Sequence, residues 1–314
     1  MTISEFEGIW RNADTHIEAQ TSGSTGKPKT IRLSKADMRA SAHATNAFFG
    51  LGKGALYACP LDFCYIAARM MVVRAEDAAG IVSAIPPSNR FIIPYNVDLL
   101  AIVPSQAECL LHHPEWTDTI KNVIIGGAPL NENLRNALIR CGYNAFMTYG
   151  MTETCSHVAL RPLESECYKA LPGITFETDP RGCLVIDIPY FNEPHVVTND
   201  IVDLKSPTEF IWIGRADNII NSGGKKLSPE DIESEIHNKA NPPFSFYITT
   251  APDPKWGHVP AMVAECPEDE LASVVTKLRE QMDHSRLPRH YKAVKAISRT
   301  TSGKIIRIPF EKLP

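Results

Sequence analysis

Between residues 55 and 149, short apolar runs alternate with longer helical stretches, and this alternation limits the available folds more than any other feature of the chain. The runs Ala55-Leu56-Tyr57-Ala58, Ile81-Val82-Ser83-Ala84-Ile85, Ala101-Ile102-Val103 and Asn122-Val123-Ile124-Ile125 have strand length, and residues 66–79 and 131–141 carry helical patterns. Strands that alternate with helices build a mostly parallel sheet covered by helices, because a parallel partner is reached only through a crossover. Ligands of such sheets gather at the C-terminal ends of the strands. Two glycine-bearing turns fall there: Gly126-Gly127-Ala128-Pro129 after one strand and Tyr149-Gly150-Met151-Thr152-Glu153 after the next.

From about residue 170 to 213 the texture changes to short strands broken by Pro172-Gly173, Asp179-Pro180-Arg181-Gly182 and Asn199-Asp200, which predicts a small β-subdomain. A loop, Asn221-Ser222-Gly223-Gly224-Lys225-Lys226, follows, and then a helix capped by Ser228 with Pro229 at its first position. The expected fold class is α/β: a large N-terminal domain (1–216) with a mostly parallel sheet plus a small β-subdomain, then a small mobile α+β C-terminal domain (217–314).

The 314 residues carry a formal net charge of −4 with both signs interspersed, which argues against a nucleic-acid surface. No apolar run approaches a membrane span, and Glu5 and Glu7 stand where a targeting leader would be basic or apolar, so a soluble, cytoplasmic protein is expected. The eight cysteines form no C-x-x-C pair and are expected as reduced, mostly buried thiols.

The stretch Thr21-Ser22-Gly23-Ser24-Thr25-Gly26-Lys27-Pro28-Lys29 has the makings of a phosphate-binding loop. Glycines let successive N–H groups face an anion, hydroxyls add donors and lysines add charge. It departs from the Walker A pattern, since two residues separate Gly23 from Gly26 and Pro28 follows Lys27. Strands over 16–20 and 30–33 should flank it, and Ser34, with Asp37 in the capping-box position, should open a helix that stops near Gly50. By composition alone, a flexible Ser/Gly/Thr surface turn is the favoured reading, and only the segments further along the chain reverse it.

Four segments in this order, residues 21–29, 149–154, 214–233 and 301–304, resemble the successive signatures of the acyl-adenylate-forming superfamily, and Gly126 to Leu130 fit it as well. The resemblance covers nearly the whole chain. It implies a two-step reaction in which a carboxylate and ATP give acyl-AMP and pyrophosphate, after which a thiol, usually coenzyme A, takes the acyl group. It also implies roles for particular residues. Thr21, Ser22, Gly23, Ser24, Thr25, Gly26, Lys27 and Lys29 would grip the β and γ phosphates, with Tyr149 and Gly150, Gly126, Gly127 and Ala128 around the adenine. Glu153 would hold Mg2+ with Thr152 beside it on the phosphate, while Asp200 and Arg215 would hold the ribose. Lys304 would offset the repulsion between carboxylate and α-phosphate, and its plain alternative is a solvated surface lysine. Asp217 matches the hinge about which the small domain turns, bringing Ser222, Gly223 and Gly224 to the coenzyme A channel; otherwise it is an ordinary loop acid.

Within the superfamily the chain is most similar to the o-succinylbenzoate–CoA ligases of menaquinone biosynthesis, on residues 149–157, the region from Pro60-Leu61 through Arg74, and residues 101–106. That likeness implies a keto acid with a second carboxylate to be recognised, for which Arg69 and Arg74, with Ser156 and His157 opposite, are candidates. Alternatively, each arginine faces solvent or pairs with Glu76 or Asp77. The chain departs from the family at Asp62-Phe63-Cys64-Tyr65, at Lys225-Lys226-Leu227-Ser228-Pro229, and in having only twenty residues before the loop, which points to an N-terminally shortened core. Two other readings stay open: an adenylating enzyme serving another aryl or acyl acid or a carrier-protein thiol, and an inactive nucleotide-binding relative.

Overall fold

The computed structural model describes residues 1–20, 29–93, 95–299 and 305–313. The first helix, α1 (Ile3–Arg11), is opened by a complete capping box: the Glu5 amide donates to Thr2 Oγ1 at 3.2 Å and the Thr2 amide to Glu5 Oε2 at 2.7 Å. Its Phe6 and Trp10, one turn apart, are buried. Strands β1 (His16–Gln20) and β2 (Thr30–Ser34) pair antiparallel from His16↔Ser34 to Gln20↔Thr30. The expected phosphate loop connects these two strands, and its residues 21–28 lie outside the described residues.

Helix α2 (Lys35–Phe49) starts where Ser34 Oγ accepts the amides of Ala36 and Asp37, and it ends at Gly50 with φ +64°. The reciprocal half of the capping box does not form. Asp37 is a methylene shorter than glutamate, and its Oδ1 accepts instead from the amide and side chain of Asn192 at 3.1 and 2.9 Å.

The alternating region gives β3 (Leu56–Cys59), α3 (Ile66–Asp77), β4 (Ile81–Ala84), β5 (Leu99–Ile102), α4 (Pro104–Leu111), β6 (Val123–Ile125), α5 (Glu132–Cys141) and β7 (Ala145–Gly150). These strands pair parallel in the order β7-β6-β5-β3-β4. Both faces are covered, as near-continuous apolar strands require. Leu99, Ala101 and Ile124 join Met38, Met70 and Val73 on the α2/α3 side, while Leu100, Ile102, Val123 and Ile125 join Leu110 and Leu138 on the α4/α5 side.

After Gly150 the chain turns back instead of crossing over. β8 (His157–Pro162), β9 (Tyr168–Ala170), β10 (Thr175–Thr178), β11 (Cys183–Asp187), β12 (His195–Ser206) and β13 (Glu209–Arg215) pair antiparallel and extend the same sheet to eleven strands, in the order β10-β11-β12-β13-β9-β8-β7 onward. The β-rich segment is thus continuous with the parallel part through the β7–β8 pair.

Beyond residue 219 a second, five-stranded sheet forms from β14 (Ile220–Ser222), β15 (Lys225–Leu227), β16 (Phe246–Asp253), β17 (Gly257–Glu265) and β18 (His290–Val294). Helices α6 (Pro229–Ala240) and α7 (Glu268–Gln281) bury Ile232, Ile236, Leu271 and Leu278 against Ile248 and Met262. The N-cap Ser228 joins the two sheets by donating to the Ile213 carbonyl at 3.0 Å. All eight cysteines are free thiols, and among the described residues no helix is long and apolar enough to cross a membrane.

Candidate active site

The site lies where the parallel half of the large sheet meets the antiparallel half, at the ends of β6 and β7. A Cβ on Gly126 would stand 2.5 Å from Thr148 Oγ1, and Gly127 has φ +92°, so this turn keeps its backbone open beside Tyr149. Gly127 and Ala128 are exposed. Gly150 is forced more strictly: a Cβ there would come within 2.3 Å of the Ser156 carbonyl oxygen and 2.5 Å of His157 Cα, at the bulge of the β7–β8 pair. Because both obstacles are backbone, Gly150→Ala is expected to destabilise the fold by about 1–3 kcal/mol. The check is a lower urea midpoint at unchanged slope, and an unchanged midpoint would refute it.

The turn that follows is tied by Thr154, whose Oγ1 accepts the Met151 amide at 3.0 Å and donates to the Ser156 carbonyl at 2.6 Å, with Cys155 at φ +61°. This presents Thr152 half-buried and Glu153 exposed. No group of three or more His, Cys, Asp or Glu side chains is gathered among the described residues, so a cation on Glu153 would draw its other ligands from phosphate oxygens and water.

Asp200 is buried and heavily solicited. It accepts from the Tyr149 hydroxyl at 2.8 Å and from Trp212 Nε1 at 3.3 Å, and it lies 3.6 Å from Arg215. Four strand spacings separate β12 from β7, which in a flat sheet is roughly 19 Å. The antiparallel half must therefore curl over, and the Tyr149, Tyr168 and Phe210 rings, 5.0–5.8 Å apart, pack inside the curl. Burial, then the Asp200 carboxylate, pushes the Tyr149 phenol well above its usual range, so it remains a donor. Trp212, with an indole N–H that asks for an acceptor, is a member of this cluster that motif reading passes over.

Arg215 also reaches Asp217 at 2.9 Å. Gly223 and Gly224 have φ +56° and +85°, and a Cβ on Gly223 would fall 2.2 Å from Trp256 Cε3. Trp256 itself lies under Lys255 at 4.8 Å and Arg289 at 5.5 Å, an aromatic face with two cations beside the Ser222 to Gly224 turn. In sequence this group showed only as Lys255-Trp256 on the far side of α6.

The two arginines of α3 differ. Arg69 spends Nε on the Phe63 carbonyl and an amino group on the Glu18 carbonyl, both at 2.8 Å, which ties α3 to β1. Arg74 is 1% exposed and pairs with neither acid offered by the sequence. Glu76 holds Trp10 Nε1 at 3.0 Å, and Asp77 holds Asn46 at 2.9 Å. The Arg74 guanidinium touches Ser156 Oγ, His157 Nδ1 at 3.4 Å and Met71 Sδ at 3.5 Å, its Nε has no partner, and no carboxylate meets it among the described residues. Burial pushes it down to about 10, so it stays charged at neutral pH.

Burial, then Arg74, holds His157 well below its usual range. Since Arg74 can only donate, Nδ1 accepts and Nε2–H donates to Thr45 Oγ1 at 3.2 Å. A histidine kept neutral by the fold takes up a proton on unfolding, so below about pH 6.5 the unfolded chain binds more protons and stability falls with falling pH. His237, lowered by burial, acts in the same direction. The expected result is a melting temperature that declines from pH 6.5 to 5.5, with a smaller decline in His157→Gln; equal slopes would exclude His157 as a source.

Lys29 is exposed just before β2; Thr21, Ser22, Gly23, Ser24, Thr25, Gly26, Lys27 and Lys304 lie outside the described residues. The model of the family described as AMP-binding enzyme matches residues 19–185. The chain is 22% identical to a 2-succinylbenzoate–CoA ligase of Staphylococcus aureus over 91% of its length, and it spans 65% of the length of that relative. A solved acyl-CoA synthetase (AMP-forming)/AMP-acid ligase II-like protein from Dyadobacter fermentans is 34% identical, with TM-score 0.63, over 96% of this chain and 90% of that one. The o-succinylbenzoate coenzyme A synthetase of Bacillus subtilis, solved with ATP and magnesium, shares the fold at TM-score 0.78 and 20% identity over 92% of this chain and 68% of that one. With more than half of its length matched and this mixed α/β architecture in common, the chain belongs to the AMP-binding enzymes of the acyl-adenylate-forming superfamily.

Proposed function

We propose that the chain is an ATP-dependent acid–CoA ligase that activates an aryl keto acid carrying a second carboxylate, with o-succinylbenzoate as the substrate and the thioester step of menaquinone synthesis as its place. The name of the Staphylococcus aureus relative supports the substrate, and the Asp200 cluster beside the open Gly126-Gly127-Ala128 turn supports nucleotide binding. The single observation that carries the second carboxylate is Arg74, a buried cation that meets no carboxylate among the described residues.

In the first step an oxygen of the keto-acid carboxylate attacks the α-phosphorus of ATP, and pyrophosphate leaves. Residues 21–27 and Lys29 hold the departing phosphates, Lys304 offsets the repulsion of the two anions, and Asp200 with Arg215 fixes the ribose through its hydroxyls. Magnesium, when bound, would neutralise phosphate charge; Glu153 would hold it, with Thr152 beside it on the phosphate. In the second step the thiolate of coenzyme A attacks the acyl carbon and AMP leaves. The hinge at Asp217 would bring the Ser222 to Gly224 turn, with Trp256, to the acceptor channel.

Pyrophosphate exchange across a panel of acids tests this reading. Exchange with o-succinylbenzoate, followed by AMP release and a thioester with coenzyme A, is expected. Exchange with other acids only would reject the substrate, acyl-AMP without turnover by free coenzyme A would move the acceptor to a carrier-protein thiol, and silence with every acid would reject ligase activity.

A further inference from the structure

Asp217 is held from two sides. Arg215 of β13 donates to it at 2.9 Å, and Asn199 of β12 places its Nδ2 at 3.3 Å from both carboxylate oxygens. The orientation of the Asn199 amide is fixed by its neighbours. Arg181 donates to Asn199 Oδ1 at 3.1 Å and can only donate, and a carboxylate can only accept, so the carbonyl must face Arg181 and the amino group Asp217. Arg181 is itself anchored on Asp179 at 2.8 Å and on the Thr198 carbonyl at 3.3 Å. A chain of polar contacts therefore runs from the β10–β11 turn through Arg181 and Asn199 to Asp217.

The segment that Asn199 clamps has little else to hold it locally. Residues 216–218 form a single short turn whose closing bond, from the Ile219 amide to the Ala216 carbonyl, is long at 3.4 Å. Further along, Asn218 bonds Glu230 of α6 at 2.6 Å, so the segment is fixed on its far side to the second sheet's own helix. Asp217 is thus the point at which the large sheet grips the segment that leads into the second sheet.

We propose that Asn199, oriented by Arg181, is a positioning residue that latches the hinge in the setting seen here, and that its release accompanies passage between the two half-reactions. The proposal rests on the reading of Asp217 as the hinge of a two-step ligase. Asn199 adjoins Asp200 in sequence, but among the described residues its side chain bonds Arg181 and Asp217 and not Tyr149, Trp212 or Arg215, so the latch can be opened without removing these three from the ribose acid.

The test uses the full chain and two independent readouts. Hydrogen exchange at residues 216–219 should speed by about fivefold in Asn199→Ala, more in Asn199→Asp, where a second carboxylate faces Asp217, and less in Arg181→Ala. In parallel, the ratio of thioester formation from synthetic acyl-adenylate to ATP–pyrophosphate exchange should change by about threefold or more, with KM for ATP unchanged. Unchanged hydrogen exchange in Asn199→Asp would overturn the latch, as would a parallel loss of both half-reactions with a lowered melting temperature. If no acid supports exchange in the unaltered chain, the ligase reading fails, while the hydrogen-exchange series still decides whether Asn199 holds Asp217.

Discussion

Replacing Arg74 with methionine is expected to raise KM for o-succinylbenzoate by about thirtyfold to four-thousandfold and to leave KM for an aryl keto acid lacking the second carboxylate within about twofold. The range follows from the 2–5 kcal/mol typical of truncating one member of a buried, hydrogen-bonded charge pair, at about 1.4 kcal/mol per decade. An arginine kept charged in the interior without a carboxylate is costly to the fold alone. Of the side chains that touch it, Met71 and His157 are buried and Ser156 is half-buried, so a ligand anion would approach past Ser156. The unpartnered Nε leaves donor capacity for it.

This prediction separates recognition from structure because the two act in opposite directions on stability. If Arg74 serves a ligand, its replacement by an apolar side chain of similar length relieves an uncompensated charge, and the ligand-free melting temperature stays level or rises. If it serves the fold through Ser156 and His157, the melting temperature drops and KM rises alike for acids with one carboxylate and with two. Arg69 offers the internal control. Its bonds to the Phe63 and Glu18 carbonyls predict a stability loss in Arg69→Met with no discrimination between the two acids.

What could be read from the sequence is what local rules govern. Ser34 and Gly50 bound α2, and Ser228 with Pro229 opens α6, because caps and left-handed glycines act within one turn. The alternation over residues 55–149 gives the parallel strands, because each crossover helix is written beside its strand. Long-range geometry was not legible. That β8 folds back on β7 and carries five more strands with it depends on a bulge at Gly150, and that Tyr149 reaches Asp200 depends on the curl of those strands. Asp37 was placed by its spacing in a capping box, yet Asn192, far off in sequence, claims its carboxylate. The roles of Trp212, Asn199 and Trp256 have no motif at all, since each is defined only by what the fold brings opposite it.

Lys304→Ala is expected to lower the rate of ATP–pyrophosphate exchange by about a hundredfold to a thousandfold, the loss typical of removing one preorganised charge or donor from a developing anionic centre. A lysine that is merely a solvated terminal charge would cost almost nothing. The residues on either side are held firmly. Arg299 bridges Ile305, the Ile306 amide donates to the Ser298 carbonyl at 2.9 Å, and Arg307 locks onto Glu233, with its second amino group 2.9 Å from Oε2. Tyr247 adds a bond to the Ile308 carbonyl at 3.3 Å. These bonds anchor the segment from Ile305 to Ile308 on the second sheet and its helix α6. Under the proposed hinge the same substitution should leave thioester formation from synthetic acyl-adenylate within about threefold, because rotation at Asp217 would take the lysine out of that half-reaction. Equal losses in both half-reactions would show a structural defect, and no loss in exchange would remove Lys304 from the chemistry. A loss confined to exchange is the outcome that assigns Lys304 to the meeting of carboxylate and α-phosphate.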